Sequence, residues 1–238
     1  MPPAPAEIAP MSTTHHAFRA PADARALSFK NAERSWKPPR QVIKCPDIIA
    51  LVAYHHQANV LSTFVPAFDA HFAQSIDLLP KAVGGQGTNI AAALRAANTL
   101  LAPVPRGLRR RIWLLTDGQD NHEADLVLAE VARSAAQRTN INTVGFGEGK
   151  EISANRLRDI SYGTKTGCYM PAESAQALNT LLRKSVDGKP PEAHQGEATV
   201  FCIDVSLSMN DKLGGMRKID VVRETMLGMI RYKQQMWS

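Results

Sequence analysis

Cysteine is scarce in this 238-residue chain: Cys45, Cys168 and Cys202 stand far apart and form no CxxC pair. That excludes a disulfide framework and a thiolate zinc site. It fits buried thiols in a reducing compartment, so a cytoplasmic location is the expectation. No run of about 18 uncharged apolar residues occurs, and no membrane span is expected. The start, MPPAPAEIAP, has neither the basic residues nor the apolar stretch of a signal peptide. The histidine pairs His15–His16 and His55–His56 are adjacent rather than four apart, which argues against a helical zinc site. A complete phosphate loop is missing too. GFGEGK (145–150) lacks the GxxxxGK[ST] spacing, and Lys150 stands where GxGxxG needs its third glycine.

Strong charge of one sign is also missing from most of the chain. The net charge is +6, yet residues 1–46 hold seven Lys/Arg against three Asp/Glu, leaving 21 against 19 for the rest. The basic character belongs mainly to the start, so nucleic acid is not the expected partner of the folded part. Residues 1–46 also contain eight prolines and read as an irregular extension, with a short helix near 24–35. Arg106, Arg109, Arg110 and Arg111 form a basic patch expected at the edge of the sheet, read as a solvated face on which an acidic partner could dock.

Beyond residue 46 the pattern changes to strands alternating with helices. IIALVAY (48–54) is a continuous apolar run of strand length, and NVLSTF (59–64) is its hairpin partner. Helices are expected at 88–102, 124–138, 153–161 and 173–186, and strands at 111–117, 141–147 and 168–171. DGKPPEAHQGEA (187–198) is a polar Pro/Gly linker, followed by strand TVFCIDV (199–205) and a helix at 218–232. Such alternation implies an α/β fold, a doubly wound, mostly parallel open sheet flanked by helices. The expected organisation is the extension 1–46 and one domain over 47–238.

Three loops carry oxygen-rich residues at expected strand exits: Asp204-x-Ser206-x-Ser208, VGGQGTN with Thr88, and LLTDGQDN with Asp117. In an open α/β sheet, ligands bind at those carboxyl ends. Alternation points Asp204, Ser206 and Ser208 to one side. Two carboxylates and three hydroxyls form a hard-oxygen set suited to Mg²⁺, or to Mn²⁺ or Ca²⁺. Each piece also has a plainer reading, since Thr ahead of a helix is often an N-cap and TDG after a strand is often a turn.

Together DVSLSM, GGQGTN and LLTDGQDN resemble the three metal-site motifs of the von Willebrand factor A family, and IIALVAYHHQANVLSTF and INTVGFG resemble strands of that fold. The resemblance implies a metal-ion-dependent adhesion site. Ser206, Ser208 and Thr88 would supply hydroxyls, Asp204 and Asp117 would act directly or through water, and a partner protein would offer an Asp or Glu to the metal. Leu207 stands where the family often has glycine. The order of motifs also departs, because the Asp-x-Ser-x-Ser strand comes first in the family and last here. The implied architecture is circularly permuted, with 187–198 joining the original ends. The site is then built within one molecule or across a domain-swapped homo-oligomer; a truncated second copy is the remaining alternative. The function implied is metal-dependent protein binding, not catalysis. The competing class is a metal-dependent phosphohydrolase with Asp204 as nucleophile. It would need a second acid two residues on, where Ser206 stands, and a lysine that the sequence does not obviously place.

Overall fold

The computed structural model describes residues 47–67, 69–118, 124–147, 153–184 and 196–237. The proline-rich extension, most of the expected linker and Trp36 lie outside them. Within the described residues six strands form one sheet in the order β2-β1-β6-β3-β4-β5. They are β1 (Ile48–Tyr54), β2 (Ala58–Pro66), β3 (Arg109–Thr116), β4 (Thr139–Phe146), β5 (Tyr169–Ala172) and β6 (Glu197–Asp204). Only β2 runs antiparallel to its neighbour; the other pairings are parallel. The strands are apolar on both faces because both faces are covered.

One layer holds α1 (Ala70–Ile76), α2 (Leu79–Ala82), α6 (Ala175–Lys184) and α7 (Lys218–Trp237), whose apolar residues pack on Ile49, Leu51, Trp113, Leu115, Phe201 and Ile203. The other holds α3 (Ile90–Leu101), α4 (Ala124–Ala136) and α5 (Ala154–Tyr162), packed on Ala50, Val52, Ile112, Leu114, Val200 and Cys202. Alternate residues of each strand therefore feed opposite cores, as the period of two requires. Between α3 and α4 a buried polar knot fixes the packing. The Asn98 amide donates to the carbonyl and carboxylate of Glu130 at 3.0 and 3.1 Å, and Ser134 Oγ donates to Asn98 Oδ1 at 2.7 Å.

The last strand in sequence is central in space. β6 pairs with β1 on one side, Ile48 to Tyr54 against Ala198 to Asp204, and with β3 on the other, Arg109 to Leu115 against Glu197 to Ile203. Its entry is pinned by Asp47, whose Oδ1 accepts from the Glu197 amide at 3.0 Å and whose Oδ2 meets Lys233 Nζ at 3.1 Å. The chain turns outward to β2 from one flank of β6 and outward to β4 and β5 from the other. The exit of β6 is therefore the switch point of the sheet, where such folds open a crevice.

Most expected elements are present with small shifts at their ends; β1 has the expected bounds. β3 begins at Arg109, so Arg109, Arg110 and Arg111 belong to the strand rather than preceding it. α1, α2 and a two-residue-per-strand hairpin, β7 (Lys212–Leu213) and β8 (Met216–Arg217), were not foreseen. The hairpin turns through Gly214 and Gly215, both at positive φ, as a tight two-residue turn demands. No described helix is long and apolar enough to cross a membrane.

Candidate functional site

The oxygen-bearing residues converge at the carboxyl ends of β6 and β3. The last residue of β6 is Asp204, fully buried, and both of its oxygens accept hydrogen bonds. Oδ1 accepts from the Ser206 amide at 2.9 Å; Oδ2 accepts from Thr116 Oγ1 at 2.7 Å and from Thr88 Oγ1 at 3.3 Å. Ser206 and Ser208 hydroxyls lie 3.0 Å apart, and Ser208 Oγ donates to Asp117 Oδ1 at 2.7 Å. Thus Thr88, Asp117, Asp204, Ser206 and Ser208 form one connected cluster drawn from three distant segments.

Local structure explains how each arrives. After β6 the backbone stays extended at Ser206 and then enters a short 3-10 turn, Leu207–Asn210, which buries Met209 and leaves Leu207 exposed. The extended Ser206 and the tight turn after it, rather than strand alternation alone, bring the two serine hydroxyls together beside Asp204. Thr88 is not the helix cap. Asn89 caps α3, its side chain accepting from the Ala92 amide at 2.9 Å, and this leaves the Thr88 hydroxyl for Asp204. Backbone bonds on either side of Thr88 hold the loop against the sheet: the Gly84 amide donates to the Val205 carbonyl at 3.0 Å, and the Asn89 amide to the His55 carbonyl at 2.7 Å. Gly85 has φ +80, and a Cβ there would stand 2.8 Å from His56 Nδ1, so a side chain is barred twice over.

Two members were not singled out in the sequence. Thr116 donates to Asp204 while its Oγ1 accepts from the Gly118 amide at 3.2 Å, so the TDG turn and the site share one hydroxyl. Lys218, the first residue of α7, reaches in to donate from Nζ to Asp117 Oδ2 at 2.8 Å. It is a lysine that the sequence did not obviously place beside the site. Its signal was present: a lysine in the first turn of a helix opposes the helix dipole and needs a reason to be there.

Burial pushes the Asp204 carboxyl up from 3.8 to about 6, against hydrogen bonds from Thr116 and Ser206 that favour ionisation; the Asp117 charge adds to the rise. Behind it Tyr54 is fully buried, its OH donating to the Leu115 carbonyl at 3.1 Å. Burial, then Asp204, hold that phenol well above its ordinary value. For Asp204 the folded state binds its proton more tightly than the unfolded chain does. Stability is therefore greatest below the ordinary carboxyl value and falls as pH rises through about 6. Urea unfolding without divalent ions should show roughly 3 kcal/mol lost between pH 4 and pH 7, the free energy of about two pKa units. Asp204→Asn should flatten that slope; an unchanged slope in the variant would assign the titration elsewhere.

Among the described residues no three His, Cys, Asp or Glu side chains gather as a metal cluster. The set is two carboxylates and three hydroxyls, without sulfur or imidazole, and it fits a hard divalent cation rather than zinc or copper. Without an ion the two carboxylates call for positive charge, and Lys218 supplies it to Asp117. A cavity of about 400 Å³ lies elsewhere, lined by Arg106, Arg110 and Arg138 at the opposite ends of the strands, and contains none of these oxygens.

The model of the von Willebrand factor type A domain family matches residues 46–184. No curated protein matches the chain. Among solved structures, the conserved hypothetical protein BatB from Bacteroides thetaiotaomicron is similar at 19% identity and TM-score 0.46, over 57% of this chain and 76% of that one. An aerotolerance-related membrane protein from Bacteroides fragilis is similar at 16% identity and TM-score 0.44, over 53% and 72%. The SpRpn10 VWA domain is similar at 12% identity and TM-score 0.41, over 74% and 70%.

Proposed function

The chain belongs to the von Willebrand factor type A domain family, and on that premise we propose that it is a metal-dependent protein-binding module. Domains of this family commonly mediate protein interactions. The finer reading is that Asp204, Ser206, Ser208, Thr88 and Asp117 hold a divalent cation, Mg²⁺ or its substitutes Mn²⁺ and Ca²⁺. The cation would take a Glu or Asp carboxylate of a partner as a further ligand. The observation that carries this is the connected hydrogen-bonded chain from Thr88 to Asp204 and from Ser206 through Ser208 to Asp117. Charge-assisted capture of an acid at a partly desolvated ion gives both strength and direction.

The circularly permuted reading is supported by two facts taken together. The family match ends at residue 184, and the strand bearing Asp-x-Ser-x-Ser lies beyond it yet fills the middle of the sheet. The nucleophilic alternative is disfavoured by the burial of Asp204. Attack on phosphorus needs Asp204 itself open to the substrate and a second acid two residues on; Asp204 is enclosed and that position is Ser206, whereas an ion can be held by Asp204 through water and through the hydroxyls beside it.

Titration with Mn²⁺, followed by electron spin resonance, tests the reading on the wild type and on folded Thr88→Ala and Ser208→Ala. Saturable binding weakened roughly tenfold or more by each change is expected, at least the loss seen for outer partners of metal ligands. Binding indifferent to both variants would leave the three motifs as turns and caps. Mixing Thr88→Ala with Asp204→Ala chains separates assemblies: a swapped oligomer regains an intact site, whereas an intramolecular site stays broken.

A further inference from the structure

Lys218 stands between two carboxylates of very different character. Its Nζ is 2.8 Å from Asp117 Oδ2 and 4.0 Å from Asp211 Oδ2. The Asp117 side chain is fully enclosed, while that of Asp211 is 67% exposed. The Lys218 amide donates to the Asp211 carbonyl at 2.9 Å, an attachment made by the β7–β8 hairpin as it returns the chain. Both acids therefore remain within reach of one flexible side chain, whichever of them the ammonium faces. The stem runs past Gly147, where an added Cβ would stand 3.4 Å from Lys218 Cε, so the missing side chain leaves the stem room on that side.

Each Asp117 oxygen already accepts one hydrogen bond. Oδ1 accepts from Ser208 and Oδ2 accepts from Lys218. A carboxylate oxygen that accepts one bond keeps a lone pair for a cation, but an ion drawn to Asp117 then lies a few ångströms from the Lys218 ammonium, and the two repel. The hydroxyl can turn and offer a lone pair to the ion; the ammonium has no lone pair to offer. The donor that has to leave is Lys218.

We propose that Lys218 is an exchangeable counter-cation of the site, resting on Asp117 and handed to Asp211 when a divalent ion enters. The inference rests on the divalent-cation reading given above. It means that the enclosed Asp117 carboxylate is neutralised with or without metal, so the site stays folded when the ion is scarce. It also means that the ion's affinity is set against a resident charge, which disfavours monovalent ions that bring no greater charge than the lysine they replace.

Mn²⁺ titration of the full chain at fixed pH, with the variants Lys218→Met, Lys218→Arg and Asp211→Asn, tests it. Lys218→Met keeps the stem without the charge. It should bind Mn²⁺ on the order of tenfold tighter or more, the size expected from removing one nearby like charge at an effective dielectric of about 20. Lys218→Arg keeps the charge and should not gain affinity. Asp211→Asn removes the receiving acid and should bind more weakly than the wild type. That weakening should vanish in the Lys218→Met background, because the two residues act in series. If Lys218→Met fails to fold in chelator, Lys218→Gln, which removes the charge but keeps a donor for Asp117, takes its place in both comparisons.

Equal or weaker binding by Lys218→Met would make Lys218 a support for Asp117 rather than a competitor, overturning the proposal. A full Asp211→Asn effect persisting without the lysine would show that Asp211 acts on the ion directly, overturning the hand-over. Absence of Mn²⁺ binding in the wild type and every variant would remove the metal reading and this inference with it. Binding by the wild type that Lys218→Met leaves unaltered removes this inference alone.

Discussion

A chain ended after Lys184 keeps every residue that the family model matches and is expected not to fold. The truncation removes β6 and α7 and so opens a gap between β1 and β3, which touch the missing strand and not each other. Two ladders of parallel hydrogen bonds vanish at once. Both cores also lose side chains: Phe201, Ile203, Ile219, Met226 and Ile230 from one, Val200 and Cys202 from the other. Each large buried apolar side chain contributes about 1.5–3 kcal/mol relative to an exposed one. A set of this size exceeds the whole stability of an ordinary domain, about 5–15 kcal/mol. Near-ultraviolet circular dichroism and urea titration should find no cooperative transition in the shortened chain. Residues 196–237 added as a separate chain should restore one. Cooperative unfolding of the shortened chain alone would mean that the central place of β6 is dispensable.

Asp117→Ala should cost about 3 kcal/mol even before any ion is considered, because it leaves the Lys218 ammonium without its enclosed partner. The Lys218 side chain is only 12% exposed in the pair. Removing one member of a buried pair typically costs about 3–5 kcal/mol, and the lower end is expected here because Asp211 lies 4.0 Å from the ammonium and offers a second acceptor. Urea midpoints measure it. The double change Asp117→Ala with Lys218→Met should recover most of the loss, since no charge is then stranded. An additive double variant, as unstable as the sum of its parts, would mean that the ammonium and carboxylate do not stabilise each other. Asp117→Ala should also abolish Mn²⁺ binding. Unchanged capture of the ion by this variant would place the metal elsewhere.

Much of this was legible in the linear chain because it depends on near neighbours. Apolar runs marked β1, β3, β4 and β6, and helical spacing marked α3 to α7. The turn-rich loops carrying Thr88, Asp117 and Asp204 stood at strand exits, where the chemistry of an open α/β sheet lies. Short elements were harder to read. α1 and α2 span too few residues for a periodic signal, and Pro80 inside α2 reads as a breaker although it sits in the first turn, where proline is tolerated. The hairpin of two-residue strands escaped notice for the same reason, despite its Gly214–Gly215 turn.

By itself the sequence determined the fold class, the order of the longer strands and helices, and five oxygen-bearing residues placed where loops leave the sheet. Local backbone preference and hydrophobic periodicity suffice for that. Only the tertiary structure decided that Asn89 rather than Thr88 caps α3, that Thr116 and Tyr54 sit around a fully buried Asp204, and that Lys218 crosses from a helix start to hold Asp117. Those relations depend on β6 lying between two strands far from it in the chain, and on a hairpin that folds the next segment back over its exit. No local pattern encodes such meetings, because they are selected by which packing of the whole sheet buries both cores and leaves the enclosed charges paired.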